Sequence, residues 1–381
     1  MNQRFHSLDV FRGATVCLMI LVNNPGSWSH IYPPLEHAPW HGLTPTDLVF
    51  PFFLFAVGNA MAFVLPRLQQ AGDSVFWRKV LKRSVLIFLI GFILNWWPFF
   101  GHTEEGISFR PWTSAANPGS GIRIMGVLQR IAICYLFASV MIYYLQPKRA
   151  FFAGMLILLL YWLACLAGNP ADPFSIGGWF GTAAVDLPLL GEAHLYHGEG
   201  VPFDPEGLAS TAPAIVSVIF GYLAGEYIRV KGKSFEMVTG LFIAGTVLLA
   251  TGYCWDLVFP VNKKIWTSSF TVATSGLAFI VLATMIYLIE LKGNRGVWTR
   301  FFDVFGKNPL FVFALSAFLP ETLALLRFGN GENPWSILYS GVYAKLPGDP
   351  RLGSLIFALT VIAFMWAVCY LLDKRKIYIK V

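Results

Sequence analysis

The sequence predicts an all-α, polytopic integral membrane protein with about ten transmembrane helices and both termini in the cytoplasm. Its 381 residues are 56% hydrophobic and only 13% charged, and the mean hydropathy is +0.60. Because soluble domains carry about 25% charged residues, this composition indicates a chain that lies mainly in lipid. The apolar runs approach about 20 residues and lack strict alternation, which is typical of membrane-spanning helices. The 13 Trp and 14 Tyr residues fit the aromatic belts at the two membrane surfaces.

All the predicted spans are expected to belong to a single domain, residues 1–381. The spans are 8–24, 47–66, 79–98, 122–145, 150–168, 211–229, 237–256, 269–290, 303–322 and 352–372. The apolar segment of the first span, about 13–22, follows Arg4 and Arg12, as in a signal peptide, but it ends in Asn23-Asn24-Pro25-Gly26 without a small-residue cleavage site. We therefore expect an uncleaved first helix.

Positive charge is distributed unequally between the predicted loops. With the N-terminus inside, 19 Lys and Arg residues lie in inward segments and 7 in outward segments. Cytoplasmic loops are enriched in Lys and Arg, so both termini are predicted inside. Loops 24–46, 99–121, 169–210, 257–268 and 323–351 then face outward. These loops are long and rich in Pro, Gly and aromatic residues, and such loops are often functional, so we expect a polar substrate on the outer side.

The charge and the cysteines argue against two other kinds of site. The net charge of +7 is carried mainly by short loops between apolar spans, and no basic run alternates with stacking aromatics, so no nucleic-acid partner is expected. The five cysteines lie in or beside apolar spans without a CxxC spacing. We therefore predict buried thiols, no disulfide framework and no metal.

The polar loop before the second span is the first candidate for chemistry. His37 and His41 lie in this loop, and Asp47 stands where the chain enters the apolar span. An imidazole can act as a general base or as a nucleophile toward an activated acyl group, although either histidine can equally be an ordinary loop residue. Asp47 is expected either to cap the second helix beside Pro45 or to orient a histidine or a substrate hydroxyl.

Other polar residues lie at the ends of spans or inside them. Asn23 is expected either to cap the first helix or to donate to a developing oxyanion. Arg12 follows Asp9 by three positions and can pair with it on one helix face. Arg130 falls inside the fourth span, where an unpaired charge is costly. It therefore predicts either a structural ion pair or an anionic ligand such as a phosphate.

Asp204 and Glu206 lie just before the sixth predicted span, in Phe203-Asp204-Pro205-Glu206-Gly207. A Pro-Glu-Gly turn accounts for them structurally, and binding of sugar hydroxyls or an amine at the outer mouth is the functional alternative. No P-loop, Rossmann glycine pattern or serine-nucleophile elbow is present.

Several blocks, in order over nearly the whole chain, resemble heparan-alpha-glucosaminide N-acetyltransferase and its bacterial relatives. The blocks are Ser7-Leu8-Asp9-Val10-Phe11-Arg12-Gly13, Val22-Asn23, His37-Ala38-Pro39-Trp40-His41-Gly42-Leu43-Thr44, Asp47-Leu48-Val49-Phe50-Pro51, Gly126-Val127-Leu128-Gln129-Arg130, Phe203-Asp204-Pro205-Glu206-Gly207, Val261-Asn262-Lys263-Lys264-Ile265-Trp266-Thr267-Ser268 and Gly306-Lys307-Asn308-Pro309-Leu310. The resemblance implies transfer of an acetyl group from cytoplasmic acetyl-CoA to the amine of a terminal glucosamine across a membrane.

The resemblance also implies roles for individual residues. The family's active-site histidine matches His37, and an asparagine of its site matches Asn23. His41 stands where the lysosomal enzymes have Asn, so it is not given the leading role. The large luminal N-terminal region of those enzymes has no counterpart here, which favours a bacterial, inner-membrane version that acts on a smaller sugar.

Together these arguments give a hypothetical mechanism. Arg12, Arg130 and Asn308 are assigned to the CoA site. His37, with Asn23 and Asp47, is assigned to catalysis, either as the base of a direct transfer or as an acetyl-carrying nucleophile. The residues assigned to the sugar are Trp40, His41, Asp204 and Glu206.

Other functions remain open at this stage. The alternatives are an amino-sugar transporter or permease without acyl chemistry, an O-acyltransferase that acts on an envelope glycan, and a structural membrane component. The expected partners are membrane lipid, acetyl-CoA and a small amino sugar or glycan end. A homodimer is a further expectation.

Overall fold

The computed structural model describes residues 5–103, 106–114, 119–328 and 331–379 and is largely helical. Its α-helices, in chain order, are α1 (His6–Asn23), α2 (Val49–Met61), α3 (Leu65–Ala71), α4 (Asp73–Trp96), α5 (Val127–Gly168), α6 (Leu187–Leu190), α7 (Leu208–Lys231), α8 (Phe235–Asp256), α9 (Ser268–Ile286), α10 (Val297–Lys307), α11 (Pro309–Ala324), α12 (Pro334–Gly341) and α13 (Pro350–Lys374). A short antiparallel hairpin, β1 (Phe100–Thr103) and β2 (Gly106–Phe109), pairs Phe100 with Phe109.

Five helical stretches in the described part of the chain are long and apolar enough to cross a membrane. They are α5, α7, α8, residues 268–291 and α13, and the number rises to seven if each of two bent helix pairs is one span. The membrane protein class follows from these stretches. The count of ten spans and the inward termini stay predictions.

Two predicted spans differ from the observed helices in an informative way. The second predicted span, 47–66, bends by 43° between α2 and α3, and the ninth, 303–322, bends by 79° between α10 and α11. The second break follows from Pro309, which begins α11 and cannot donate to the preceding turn. Within α5 the backbone leaves the helical region at Gln146, directly before Pro147, so this element holds two helical segments, as the sequence predicts.

Close helix contacts depend on residues without a side chain. A Cβ atom on Gly58 of α2 would lie 1.9 Å from the carbonyl oxygen of Val218 in α7, and one on Gly13 of α1 would lie 1.8 Å from that of Phe302 in α10. Small residues allow such approaches between membrane helices. The result is a bundle in which α2 packs closely against α7 and α1 packs closely against α10.

The ends of several helices meet on one side of this bundle. α1 ends there, and α2, α5, α7 and α9 begin there, as shown by the hydrogen bond between Arg130 and Ser210 and by the edge contact of Phe50 with Trp266 at 5.1 Å. The loop between α1 and α2 and the loop between α8 and α9 therefore face each other across the helix ends.

Candidate active site

Asp47 organises the loop that carries His37. One carboxylate oxygen, Oδ2, accepts hydrogen bonds from the backbone amide of Ala38 at 3.1 Å, from the amide of Thr44 at 3.0 Å and from the hydroxyl of Thr44 at 3.0 Å. The other oxygen, Oδ1, lies 2.7 Å from Nδ1 of His37. Asp47 therefore both caps the turn that starts α2 and holds the histidine, so the two roles considered from the sequence occur together.

This geometry fixes the tautomer of His37. An ionised carboxylate has no hydrogen to donate, so in the neutral imidazole Nδ1 carries the hydrogen and Nε2 keeps its lone pair. The Asp47 side chain is 1% exposed, whereas that of His37 is 45% exposed. A buried carboxylate that orients an accessible imidazole is the usual arrangement for a histidine base or nucleophile.

A third charged group, Lys263, lies against the His37 imidazole. Its Nζ is 3.1 Å from both ring nitrogens and 3.9 Å from Oδ1 of Asp47. Burial lowers the pKa of Lys263, although the charges of Asp47 and Glu206 act in the opposite direction. Sequence reasoning missed this residue, since it stands 226 positions from His37, and only its place in the Val-Asn-Lys-Lys-Ile-Trp block pointed to it.

These groups surround a cavity of about 160 Å³. Its polar lining residues are Asn23, His37, Thr46, Glu206 and Lys263, and its apolar ones include Met19, Phe50, Phe53, Ile131 and Phe313. At the end of α1, one asparagine caps the helix and the other is available to the cavity. The buried Asn24 donates its side-chain amide to the carbonyl of Ile20 at 3.0 Å, whereas the exposed Asn23 lines the cavity.

A much larger cleft of about 810 Å³ adjoins the cavity and shares Asn23, Val127 and Phe313 with it. Aromatic side chains line this cleft together with an acidic group: Trp28, Trp97, Tyr196, Trp335, Tyr339 and Glu321. Sites of this volume accept drug-sized ligands, commonly about 300–1,000 Å³. The small cavity therefore has room for a reacting end, and the cleft has room for the body of a polar ligand.

Asp204 and Glu206 lie beside the cavity in one ion network. Arg123 donates to both oxygens of Asp204 and to one oxygen of Glu206. Asp204 is completely buried, which argues against its predicted contact with a sugar. Glu206 instead lines the cavity. Burial opposes its ionisation, but the charges of Arg123, Arg130 and Lys263 outweigh that effect and lower the pKa of Glu206.

Arg130 is completely buried at the same end of the bundle as His37. Its Nη2 donates to the carbonyl of Gly207 at 3.1 Å and to the Ser210 hydroxyl, and its guanidinium lies 5.1 Å from the centre of the Trp266 ring. The assignment of Arg130 to CoA phosphates on the inner side disagrees with this position. One carbonyl, one hydroxyl and two aromatic rings contact this arginine, whereas its buried Nε and Nη1 have no hydrogen-bond partner among the described residues.

Trp40 and His41 hold the His37 loop through contacts with other segments of the chain. Trp40 donates from Nε1 to the carbonyl of Phe174 at 2.8 Å, and His41 lies 3.4 Å from the amide of Asn262. Burial lowers the pKa of His41, and Asp256 opposes that shift. Neither side chain is among the described residues that line the cavity, so their predicted contact with the sugar has no support from the geometry.

Arg12 and Asn308 lie away from His37. Eleven residues of α1 separate Arg12 from Asn23, a distance of about 16 Å along a helix. Arg12 donates to the carbonyl of Gly306 at 3.0 Å, and its side chain is 26% exposed. Asn308 is fully buried and uses its amide on the C-terminal segment, donating to Ile377 and accepting from Ile379. Of the three residues predicted for the CoA site, only Arg12 both lies away from His37 and has a partly exposed side chain.

Among the described residues, one group of three possible metal ligands occurs, His6, Asp9 and Asp303. Cations already accompany both carboxylates, since Arg12 lies 3.6 Å from Asp9 and Lys307 lies 2.7 Å from Asp303. This group is far along α1 from His37, and the mechanism below makes no use of it.

Comparisons with known proteins point to one family of enzymes. Residues 4–190 match the family described as heparan-alpha-glucosaminide N-acetyltransferase, catalytic. The chain is 29% identical to the heparan-alpha-glucosaminide N-acetyltransferase of Homo sapiens and 27% identical to that of Mus musculus, each over 350 residues, with 78% of this chain and 50% of the relative covered. The chain thus spans about half the length of the curated relatives it matches. These matches confirm the resemblance inferred from the motifs.

Proposed function

Since this chain is related to the heparan-alpha-glucosaminide N-acetyltransferase family, we propose that it transfers acetyl groups from cytoplasmic acetyl-CoA to the amine of a glucosamine-type sugar on the outer face of a membrane. His37 is the general base or the acetyl-carrying nucleophile of this reaction. The observation that carries the proposal is the 2.7 Å contact between His37 and buried Asp47 beside a small cavity.

The donor reaches His37 from within the bundle. The cavity extends past His37 to Met19 and Phe53, which lie deeper in α1 and α2 than the loop. Arg12 lies seven residues further along α1 than Met19, about 10 Å. In this proposal an extended pantetheine arm covers that distance between the helices, and Arg12 meets the phosphates at its cytoplasmic end.

The acceptor reaches His37 through the cleft. The flat apolar faces of sugar rings stack on aromatic side chains such as Trp97 and Trp335, and Glu321 suits an ammonium group. Nε2 of His37 removes the proton as the amine attacks the thioester carbonyl, and Asn23 donates to the oxygen that becomes negative. Direct transfer and transfer through acetyl-His37 use the same residues.

The proposal includes the arrangement in the membrane. We place both termini in the cytoplasm, as the charge distribution favours, and we propose ten spans in the inner membrane of a bacterium. A homodimer is compatible with this arrangement.

Labelled acetyl-CoA and glucosamine, supplied to the purified protein in detergent, test the proposal. We expect labelled N-acetylglucosamine from the wild type and none from His37→Ala. Binding of CoA without transfer would favour an O-acyltransferase and direct the search to hydroxyl acceptors. Absence of CoA binding would refute the enzyme and favour an amino-sugar transporter.

A further inference from the structure

Lys263 has contacts that a merely structural lysine would not need. Its ammonium group touches the reacting face of His37, lies near Asp47 and lines the same cavity as Asn23. The side chain is 19% exposed, so it gains little from solvent. Its neighbour Lys264 has an ordinary structural partner, Glu199, at 2.6 Å.

The hydrogen-bonding capacity of the two groups restricts what Lys263 does. An ammonium group has no lone pair, so it cannot accept the hydrogen on Nδ1, which Asp47 already accepts. It can donate only to Nε2, and a lasting bond there would occupy the lone pair that the base or nucleophile needs. A role as a permanent partner of His37 would therefore oppose the function of His37.

The position of Lys263 Nζ suits a hydrogen bond to a different acceptor, the carbonyl oxygen of the thioester. Whether Nε2 removes a proton from the acceptor or attacks the acyl carbon itself, the carbonyl oxygen of the thioester must lie close to Nε2 when it becomes negative. Donors aimed at this oxygen in a site shielded from water lower the barrier strongly. Lys263 Nζ, at 3.1 Å from Nε2, is the charged donor nearest to that place among the described residues.

We propose that Lys263 is a catalytic residue that donates a hydrogen bond from its ammonium group to the thioester oxygen while that oxygen is negatively charged. This inference rests on the proposed acetyl transfer. The amine nitrogen forms a bond to the carbonyl carbon, the C=O electron pair moves to oxygen, and Nε2 of His37 takes the proton of the amine. The electron pair then returns, the C–S bond breaks, and the proton passes from His37 to the thiolate of CoA.

The charges around Lys263 make its protonation sensitive to pH. The imidazole of His37 and the carboxylates of Asp47 and Glu206 face it, and Lys264 and Arg130 add positive charge. Burial shifts the pKa of Lys263 downward from the ordinary value. Acetyl transfer should therefore decline on the alkaline side at a lower pH than an ordinary lysine would require, because the neutral amine is a weaker donor.

Steady-state acetyl transfer by Lys263→Met and Lys263→Arg, measured against pH, tests the inference. We expect kcat of Lys263→Met to fall at least about 100-fold with an unchanged KM for acetyl-CoA. Lys263→Arg should recover part of the rate, and its alkaline decline should move to higher pH because guanidinium stays charged. Lys231→Met, at the far end of α7 and exposed, is the matched control and should behave as the wild type.

The outcomes separate this inference from the function on which it rests. Absence of transfer by the wild type would overturn both. Transfer by the wild type together with an equal rate for Lys263→Met would overturn the role of Lys263 alone. If Lys263→Met fails to fold, Lys263→Arg decides: an alkaline decline at the wild-type pH would refute the role, and a shifted decline would support it.

Discussion

Asp47 binds His37 through one carboxylate oxygen and the backbone of the His37 loop through the other. The bond from Nδ1 to Oδ1 is 2.7 Å, while Oδ2 accepts from the amides of Ala38 and Thr44. The residue that shapes the loop thus also sets the orientation and tautomer of the imidazole. Because the two tasks belong to one buried carboxylate, the loop cannot move without moving the reactive nitrogen.

Replacement of Asp47 by Asn should therefore damage catalysis more than folding. The amide keeps the size of the carboxylate, but it cannot fix the hydrogen on Nδ1 as reliably, and the wrong tautomer removes the Nε2 lone pair. We expect kcat for acetyl transfer to fall roughly 100- to 10,000-fold, while the KM for acetyl-CoA changes little. The exposed Asp349→Asn serves as the control, and a kcat for Asp47→Asn within a factor of two of wild type would show that Asp47 only caps the helix.

Arg12 provides a test at the opposite end of α1. If it meets the phosphates of CoA, Arg12→Met loses a charge-assisted hydrogen bond, so the KM for acetyl-CoA should rise roughly 10- to 100-fold with kcat unchanged. Acetyl-pantetheine lacks the nucleotide phosphates, and its KM should not change. The exposed Arg327→Met should alter neither donor. A parallel rise of KM for both donors would contradict a phosphate contact.

The positions of most helices followed from hydropathy, but the breaks within them did not. The predicted span 303–322 treats the polar run Gly306-Lys307-Asn308-Pro309 as part of one helix, yet the chain turns by 79° at Asn308. Pro309 marks the place, but a proline alone does not distinguish a kink inside a span from the end of one helix and the start of another. Tertiary contacts decide, and here the C-terminal segment binds the Asn308 amide.

In the candidate site, the contact between residues close together in the sequence was predictable, whereas the contacts between residues far apart in the sequence were not. His37 and Asp47 are ten residues apart, and their types already suggested a pair. Lys263 comes from a loop on the other side of the bundle, and its contact with His37 depends on how α8 and α9 pack. Arg130 illustrates the same limit, because its burial required partners, but only the structure shows that one carbonyl, one hydroxyl and aromatic rings contact it and that Nε and Nη1 have no hydrogen-bond partner among the described residues.

Asp186 gives a prediction for the pH dependence of stability. This fully buried carboxylate, in the segment between α5 and α7, accepts from the amides of Leu208 and Ala209 at 2.8 and 3.2 Å. Burial raises its pKa to about 6, above the value of about 3.9 for an unfolded chain. The folded state therefore holds the proton more tightly. The resulting stability is complete below about pH 4 and is lost as the pH rises through about 6.

The free energy of unfolding of the wild type should accordingly fall by about 2 kcal/mol between these two pH values relative to Asp186→Asn, which does not titrate. The asparagine keeps an oxygen that can accept from the start of α7, so the variant should still fold. Thermal unfolding in detergent from pH 4 to pH 7, with Asp349→Asn as the control, measures the difference. The two aspartate-to-asparagine variants should diverge, because Asp186 is fully buried whereas the side chain of Asp349 is 45% exposed. Parallel curves for wild type and Asp186→Asn would mean that water or a nearby cation compensates the charge of Asp186 in the folded protein.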